Sequence, residues 1–259
     1  KIFQNIFKNI NIFIFKLIYG KVKINSLNSD LEYLKEEINF EDCKNIYNLF
    51  KINNARLYTD RIQDTAIIKN NIIVDEASFQ LRNNFNSTVN NNIVIRKGTP
   101  RFLKKINGNV LSLLTGGGGN NNFFHWFFDV LPRLGIFEKN LNLKNLDYLL
   151  CPNLNLWQIK SLELLGFKKK QLLSSIKYRH IFSDTIYSTS HPWNFNPDII
   201  NDIENIPKWI SVWLKNKFLD KKSKNIFPKR IYIDRSDSNS NIRDHRSIIN
   251  EKEIIEYLK

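Results

Sequence analysis

The chain has 259 residues, a formal net charge of +14 and a sequence that is 42% hydrophobic, which excludes an intrinsically disordered protein. The two cysteines, Cys43 and Cys151, lie too far apart in the sequence to form a metal-binding or redox motif. The positive charge is typical of proteins with an acidic partner such as a nucleic acid, an anionic membrane or a phosphorylated substrate. An AT-rich genome, in which lysine codons are common, would produce the same excess of positive charge.

The first 22 residues predict an amphipathic N-terminal helix. Apolar residues recur on one helical face of residues 1–19, and the lysines at positions 1, 8, 16 and 21 interrupt the first 22 residues too often for a membrane-spanning helix. An interfacial membrane helix, a helix docked on the rest of the protein and a truncated signal anchor remain as alternatives. The chain begins with Lys1, lacks methionine and stops at Lys259 within a helical pattern, so we expect it to be a fragment.

The next elements combine one predicted helix with several short strands. Residues 28–50 have a helical pattern with Ser29 and Asp30 as candidate caps. Asn70–Asn71 predicts a hairpin turn between two β-prone runs. The predicted strands up to the middle of the chain are 56–59, 65–68, 71–75, 94–95 and 110–114.

Further along, strands alternate with helices. A strand at 147–150 precedes a helix at 154–165 that Gly166 closes, and β-prone pairs follow at 181–182 and 186–187. Pro207 opens another amphipathic helix. Alternation of this kind predicts an α/β fold with a mostly parallel sheet.

Residues 115–133 are the most informative segment. Four glycines and three asparagines lead from the apolar run 110–114 into a helix that is apolar except for His125, Asp129 and Arg133. The spacing i, i+4, i+8 puts these three on one face, and ionisable groups within a protein must be paired or must serve some chemistry. The segment therefore predicts the floor of an active site at the carboxyl end of a strand. The alternatives are a core pair that fixes helix packing and a glycine run that is only a flexible loop.

A second segment supplies a basic strand end. The β-prone run 230–235 ends at Arg235, before a polar loop and a final helical pattern, where an arginine is well placed to bind phosphate. A solvated surface arginine is the alternative. The sequence has no phosphate-binding P-loop, no Gly-x-Ser-x-Gly elbow, no His-Glu-x-x-His motif and no Asp-x-Asp dyad.

Together the two segments resemble family 61 glycosyltransferases, whose bacterial members are often labelled capsular polysaccharide biosynthesis proteins. Residues 117–133 are similar to the family's signature segment. Residues 230–235, followed by 246–251, are similar to a second block of the family. Asp234 stands where the family often has serine. The resemblance covers roughly residues 50–259, and we expect the family's later donor-binding segment to be missing from this fragment.

The resemblance implies an α/β, GT-B-like fold in which two Rossmann-like domains face each other across a cleft, the second being incomplete here. The expected parts are the helix 1–22, an acceptor-side domain 23–206, a linker helix 207–226 and the start of the nucleotide-sugar domain 227–259. The implied reaction is inverting transfer from a nucleotide-sugar donor to a glycan acceptor in surface polysaccharide synthesis. We expect no metal cofactor, no nucleic acid partner and a cytoplasmic location with peripheral membrane contact through residues 1–19.

The resemblance also suggests roles for individual residues. His125 and Asp129 are the candidate catalytic pair, one as the base and the other orienting it, and an Arg133 paired to Asp129 is a structural alternative. A non-enzymatic basic binding module and another Rossmann-type nucleotide enzyme remain as rival functions. The predicted acceptor-side residues are Gly117, Gly118, Gly119, Asn122 and Arg133, and the predicted donor-phosphate residues are Arg235, Arg246, Asn250 and Glu251.

Overall fold

The computed structural model describes residues 2–24, 31–41, 43–59, 65–78, 89–114, 122–193, 206–219 and 251–258. The chain divides into two compact units, residues 1–219 and residues 220–259. The described part of the second unit is one helix, α7 (Glu251–Leu258). The roles predicted for the domains stay predictions.

The first unit is built on one mixed sheet, which has eight strands in the described part of the chain. Its order is β4-β3-β2-β8-β5-β6-β7, and β1 pairs with β2 beside β3. The strands are β1 (Leu34–Ile38), β2 (Tyr47–Thr59), β3 (Thr65–Lys69), β4 (Ile72–Ile73), β5 (Lys104–Ser112), β6 (Tyr148–Cys151), β7 (Leu172–Ser174) and β8 (His180–Thr189).

The prediction of a mostly parallel sheet was wrong. The pairs β1–β2, β2–β3, β3–β4 and β2–β8 are antiparallel, and only β5–β6, β5–β8 and β6–β7 are parallel. Parallel pairing needs a long crossover, whereas the short connections between β1 and β4 permit only antiparallel neighbours. The predicted turn is confirmed, since Asn70 and Asn71 both have positive φ (51° and 61°) and join β3 to β4.

One predicted helix forms strands, and one predicted strand lies in a helix. The predicted helix 28–50 instead contains β1 and the start of β2, while its candidate caps Ser29 and Asp30 lie outside the described residues. Pairing with β2 overrides the helical preference of the Leu-Lys-Glu-Glu run. The predicted strand 94–95 lies in α2 (Ile93–Lys97), because the Asn92 side chain caps Val94 N–H and Gly98 closes the helix.

The remaining helices lie where their patterns predicted them. The helix after β6 ends before Gly166, whose φ is +94°, and the helix after Pro207 packs its Trp209 against Phe40 with ring centroids 4.0 Å apart. The two β-prone pairs near residue 185 belong to the single strand β8. The helices are α1 (Ile2–Tyr19), α3 (Phe123–His125), α4 (Pro132–Asn140), α5 (Leu156–Leu164) and α6 (Lys208–Phe218), and 3-10 turns occur at Glu76–Ser78, Val89–Asn91, Leu143–Asn145 and Lys169–Gln171.

The largest core cluster lies between the sheet and the helices α4, α5 and α6. Leu134, Ile136 and Phe137 of α4 are fully buried in it, and the ring of Phe137 meets the edge of Tyr187 on β8. Burying several large apolar side chains at about 1.5–3 kcal/mol each holds α4 firmly on the sheet. The position of the segment that precedes α4 is thereby fixed as well.

The first helix, α1, packs on the sheet through its C-terminal half. Phe15 is buried, and the Tyr19 hydroxyl accepts a hydrogen bond from Leu103 N–H at 2.9 Å. In the described part of the chain, no helix combines the length and the apolar character needed to cross a bilayer.

Two buried histidines make the fold sensitive to acid. Burial lowers the pKa of His180 to about 4, and burial together with the nearby charge of Arg133 lowers the pKa of His191 to about 4. Unfolded imidazoles take up protons below about pH 6.5, whereas the folded ones do so only near pH 4, so stability is full above about pH 6.5 and falls as the pH drops. We expect the free energy of unfolding to decrease by up to about 3 kcal/mol per histidine between pH 7 and 4.

Urea denaturation at a series of pH values measures this loss directly. His180→Gln should reduce the pH dependence, because a glutamine amide can donate to the Arg101 carbonyl that accepts from His180 Nδ1 at 2.9 Å without titrating. An unfolding midpoint that stays constant from pH 7 to about pH 4 would contradict the assignment.

Candidate functional site

The site is built on one helical segment, residues 123–140, which we call the site helix. It consists of α3, a π-turn at Trp126–Val130 and α4. The Asn122 side chain caps its start by accepting hydrogen bonds from Phe124 N–H at 2.9 Å and His125 N–H at 3.3 Å. Pro132 has no N–H to donate and its ring crowds the preceding turn, which explains the wider π-turn before it. In that turn Leu131 N–H donates to the Trp126 carbonyl at 2.9 Å.

The predicted pair His125 and Asp129 is in direct contact on the site helix. His125 Nδ1 lies 2.6 Å from Asp129 Oδ2, and the exposed fractions of the two side chains are 43% and 8%. An ionised carboxylate only accepts hydrogen bonds, so Nδ1 carries the proton in this pair. The lone pair of His125 then lies on Nε2, to which no described residue is hydrogen-bonded.

Trp193, for which no role was predicted, supplies the second hydrogen bond to Asp129. Trp193 Nε1–H donates to Asp129 Oδ1 at 2.7 Å, and both residues are buried. Each carboxylate oxygen therefore has a donor. His191 lies beside this group, its Nδ1 2.5 Å from the Trp193 carbonyl and its buried Nε2 without a hydrogen bond from the described residues. The only signal in the sequence was the His-Pro-Trp run directly after a β-prone segment.

Arg133 lies completely buried one turn further along the site helix. Its Nε–H donates to the main-chain carbonyl of Asp129 at 2.9 Å, so the pairing predicted as a structural alternative goes to the backbone and not to the carboxylate. Burial lowers the pKa of Arg133 to about 10, and the negative charge of Asp129 opposes that shift. The guanidinium stays charged at neutral pH. Within the described structure its two terminal nitrogens have no hydrogen-bond partner, which is uncommon for buried groups.

The sheet topology explains why these residues meet. The parallel neighbours β5 and β8 end at the same edge of the sheet, and the site helix follows β5 while the 191–193 loop follows β8. Carboxyl edges of parallel strands are the usual place for ligand sites in α/β proteins. The fully buried Trp126 anchors the helix there through a hydrogen bond from Nε1–H to Ser161 at 2.9 Å.

Several predicted site residues cannot be compared with the structure. The glycines Gly117, Gly118 and Gly119 and the donor-side residues Arg235, Arg246 and Asn250 lie outside the described residues. Glu251 is the first residue of α7 in the second unit. In the ranges that the structure describes, no three His, Cys, Asp or Glu side chains are grouped as metal ligands. Metal independence stays a prediction.

The described geometry supports proton transfer at His125. A buried carboxylate that accepts from one imidazole nitrogen fixes the ring's tautomer and orientation, and the other nitrogen can then take a proton from a hydroxyl. Asp129 is poorly placed to take that proton itself, because it is buried and both of its oxygens already accept hydrogen bonds. The geometry therefore favours His125 over Asp129 as the candidate base, and the catalytic roles of both residues stay predictions.

Comparison with known proteins identifies the family of the chain. Neither a curated protein nor a solved structure matches the chain. The family model described as Glycosyltransferase 61 matches residues 123–259, more than half of the chain, and its match begins at the first residue of the site helix. The chain belongs to glycosyltransferase family 61 and is therefore a glycosyltransferase.

Proposed function

We propose that the protein transfers a sugar from a nucleotide-sugar donor to a hydroxyl of a glycan acceptor, with inversion at the anomeric carbon and without a metal. The observation that supports this most is the half-exposed His125 held by the buried Asp129 at the carboxyl edge of the sheet. A hydroxyl nucleophile needs such a base, and a single displacement inverts the configuration. Membership of the family favours this function over a non-enzymatic binding module.

In the proposed step His125 Nε2 takes the proton as the acceptor O–H bond breaks. The acceptor oxygen forms a bond to the anomeric carbon of the donor, whose bond to the diphosphate oxygen breaks with both electrons leaving on the diphosphate. Asp129 accepts from Nδ1–H throughout and stabilises the imidazolium that forms. Asn122, which caps the site helix, and Arg133 belong to the acceptor side of the site.

The departing diphosphate needs positive charge. We assign this role to Arg235 with help from Arg246, and we place Asn250 and Glu251 near the donor; these assignments rest on the family resemblance of residues 230–251. A GT-B-like fold with two Rossmann-like domains is part of this proposal. Arginine can hold a diphosphate bidentately, which is how a metal-independent site would work.

We further propose that this activity serves the synthesis of a surface polysaccharide at the cytoplasmic face of a membrane. The excess of 39 basic over 25 acidic side chains and the amphipathic residues 1–19 support contact with an anionic membrane surface.

A thermal-shift screen of nucleoside diphosphate sugars on the complete protein tests the function. A bound donor should raise the melting temperature, and Arg235→Ala should abolish the shift while the control Arg96→Ala, an exposed arginine on α2, keeps it. The anomeric configuration of the product and activity in the presence of a chelator then test inversion and metal independence. Absence of stabilisation by every nucleoside diphosphate sugar would contradict the proposal.

A further inference from the structure

The helix α1 exposes its apolar face and packs on the protein with the other side. Phe15 and Tyr19 contact the body of the protein, where Phe15 meets the ring of Phe102 at 5.0 Å and Tyr19 meets His180 at 4.9 Å. The large apolar residues that recur every three to four positions face solvent. These are Phe3 (77% exposed), Ile6 (48%), Phe7 (71%), Ile10 (49%), Phe13 (63%), Ile14 (45%), Leu17 (71%) and Ile18 (56%).

A basic pocket lies at the base of this helix. It has a volume of about 360 Å³ and is lined by four cationic side chains, Arg101, Lys104, Lys177 and Arg179, with no acidic residue among its lining. Lys104 Nζ donates to the Lys177 carbonyl at 2.8 Å, which holds its ammonium group at the pocket. The pocket is open to solvent and large enough for a phosphate group and its substituents.

The pocket adjoins the side of α1 that packs on the protein. Phe102, which is 78% exposed, lines the pocket and contacts Phe15 of α1, and His180 lines the pocket and contacts Tyr19. Lys16 of α1 adds a further ammonium group beside α2, where it donates to the Arg96 carbonyl at 2.9 Å. The helix itself contains no aspartate or glutamate. An exposed apolar helix with cations at its base matches the layered structure of an anionic bilayer, with acyl chains inside and phosphates outside.

We propose that α1 lies in the interface of an anionic lipid bilayer and that the pocket at Arg101, Lys104, Lys177 and Arg179 binds the phosphate of a lipid headgroup. This lipid-binding proposal rests on the membrane contact given in the proposed function. It does not depend on the chemistry assigned to the site helix. The bilayer is favoured over a second copy of the chain, because two such basic surfaces would repel each other while an anionic bilayer attracts both the pocket and Lys16.

The surface lies at the opposite edge of the sheet from the candidate active site. The pocket residues precede or begin β5 and β8, whereas the site helix and Trp193 follow the other ends of these strands. The nine residues of β5 span roughly 30 Å. A protein bound in this way would keep its candidate active site well away from the headgroups, so membrane binding and glycosyl transfer can be measured separately.

Vesicle flotation of the complete protein tests the proposal. We expect binding to vesicles that contain about 30% phosphatidylglycerol, little binding to pure phosphatidylcholine vesicles, and a decrease in binding with added salt. Removing two cations with the variant Arg101→Gln/Lys177→Gln should weaken binding to the anionic vesicles by roughly tenfold or more. Phe7→Gln/Phe13→Gln should abolish stable binding, because it removes two exposed rings from the apolar face.

Two control variants remove the same number of positive charges or apolar side chains from α5 and α6, away from the proposed membrane surface. Lys160→Gln/Lys215→Gln removes two exposed lysines from α5 and α6, and Leu156→Gln/Leu164→Gln removes two exposed apolar side chains from α5. Both should bind vesicles like the parent protein. Equal binding to neutral vesicles, or equal weakening by Lys160→Gln/Lys215→Gln, would overturn the headgroup pocket. Self-association through α1 without vesicle binding, measured by sedimentation, would overturn the bilayer assignment, and neither outcome would depend on whether sugar transfer occurs.

Discussion

Replacing His125 by alanine should reduce the rate of glycosyl transfer by about 10²–10⁴-fold, the usual contribution of a general base. The loss should fall mainly on kcat, because the proton is removed in the transition state and binding of the donor does not involve this ring. Stability should change little, since 43% of the His125 side chain is exposed and its Nδ1 contact is local to the site helix. Initial rates with the donor found by the thermal-shift screen, together with a melting curve, measure both quantities.

A second histidine provides the control for this substitution. His180→Gln changes the same residue type at the other end of β8, away from the site helix, and should leave kcat within a few-fold of the parent value. If His125→Ala retained near-normal turnover, or if His180→Gln lost as much activity, the base would have to be sought elsewhere.

Substituting Asp129 by asparagine should reduce turnover to a similar extent while the protein remains folded. Asp129 accepts from two donors, His125 Nδ1–H at 2.6 Å and Trp193 Nε1–H at 2.7 Å, and an asparagine side chain has only one oxygen with which to accept. If the amide nitrogen of the asparagine faces His125, Nδ1 has to accept a hydrogen bond, and the imidazole then adopts the tautomer that is protonated on Nε2. In that tautomer Nε2 cannot act as the base. A tautomer error of this kind costs about 10⁴-fold in the serine-protease triad.

The double variant and a tryptophan control test the mechanism of that loss. His125→Ala/Asp129→Asn should be no slower than His125→Ala alone, because the two residues act as one unit. Trp193→Phe keeps an aromatic ring but removes the donor to Oδ1, and it should lower kcat less than Asp129→Asn does. Additive losses in the double variant would mean that Asp129 acts on the substrate independently of His125.

The contact between His125 and Asp129 could be predicted from the sequence because it is local. Residues four apart meet on any helical turn, and the contact survives the π-turn that Pro132 induces. The contributions of Trp193 and His191 could not be predicted, since they come from more than sixty residues further along the chain. Nothing in the sequence specifies that β8 lies parallel to β5 and delivers this loop to the same edge.

The difference between local contacts and contacts with distant segments also explains the errors in the predicted fold. The run Leu34–Glu37 has a helical preference but becomes an edge strand, because β2 offers unpaired main-chain groups beside it. The β-branched pair Val94–Ile95 becomes helical because Asn92 and Gly98 cap both ends. For Leu34–Glu37, pairing with the strand β2 decided the secondary structure. For Val94–Ile95, the prediction gave the β-propensity of the two residues more weight than the capping residues Asn92 and Gly98.

The sequence by itself determined the elements whose signals are local: the polar stripe on the site helix, the turn at Asn70–Asn71, the helix before Gly166, and the two segments that resemble family 61 glycosyltransferases. Only the tertiary structure decided that the sheet is mixed, that Asp129 is buried with both oxygens bound, and that α1 turns its apolar face to solvent beside a basic pocket. The physical reason is the range of the interactions. Caps, turns and helical spacing act within a few residues, whereas burial and charge at a site depend on which distant segments the sheet brings together.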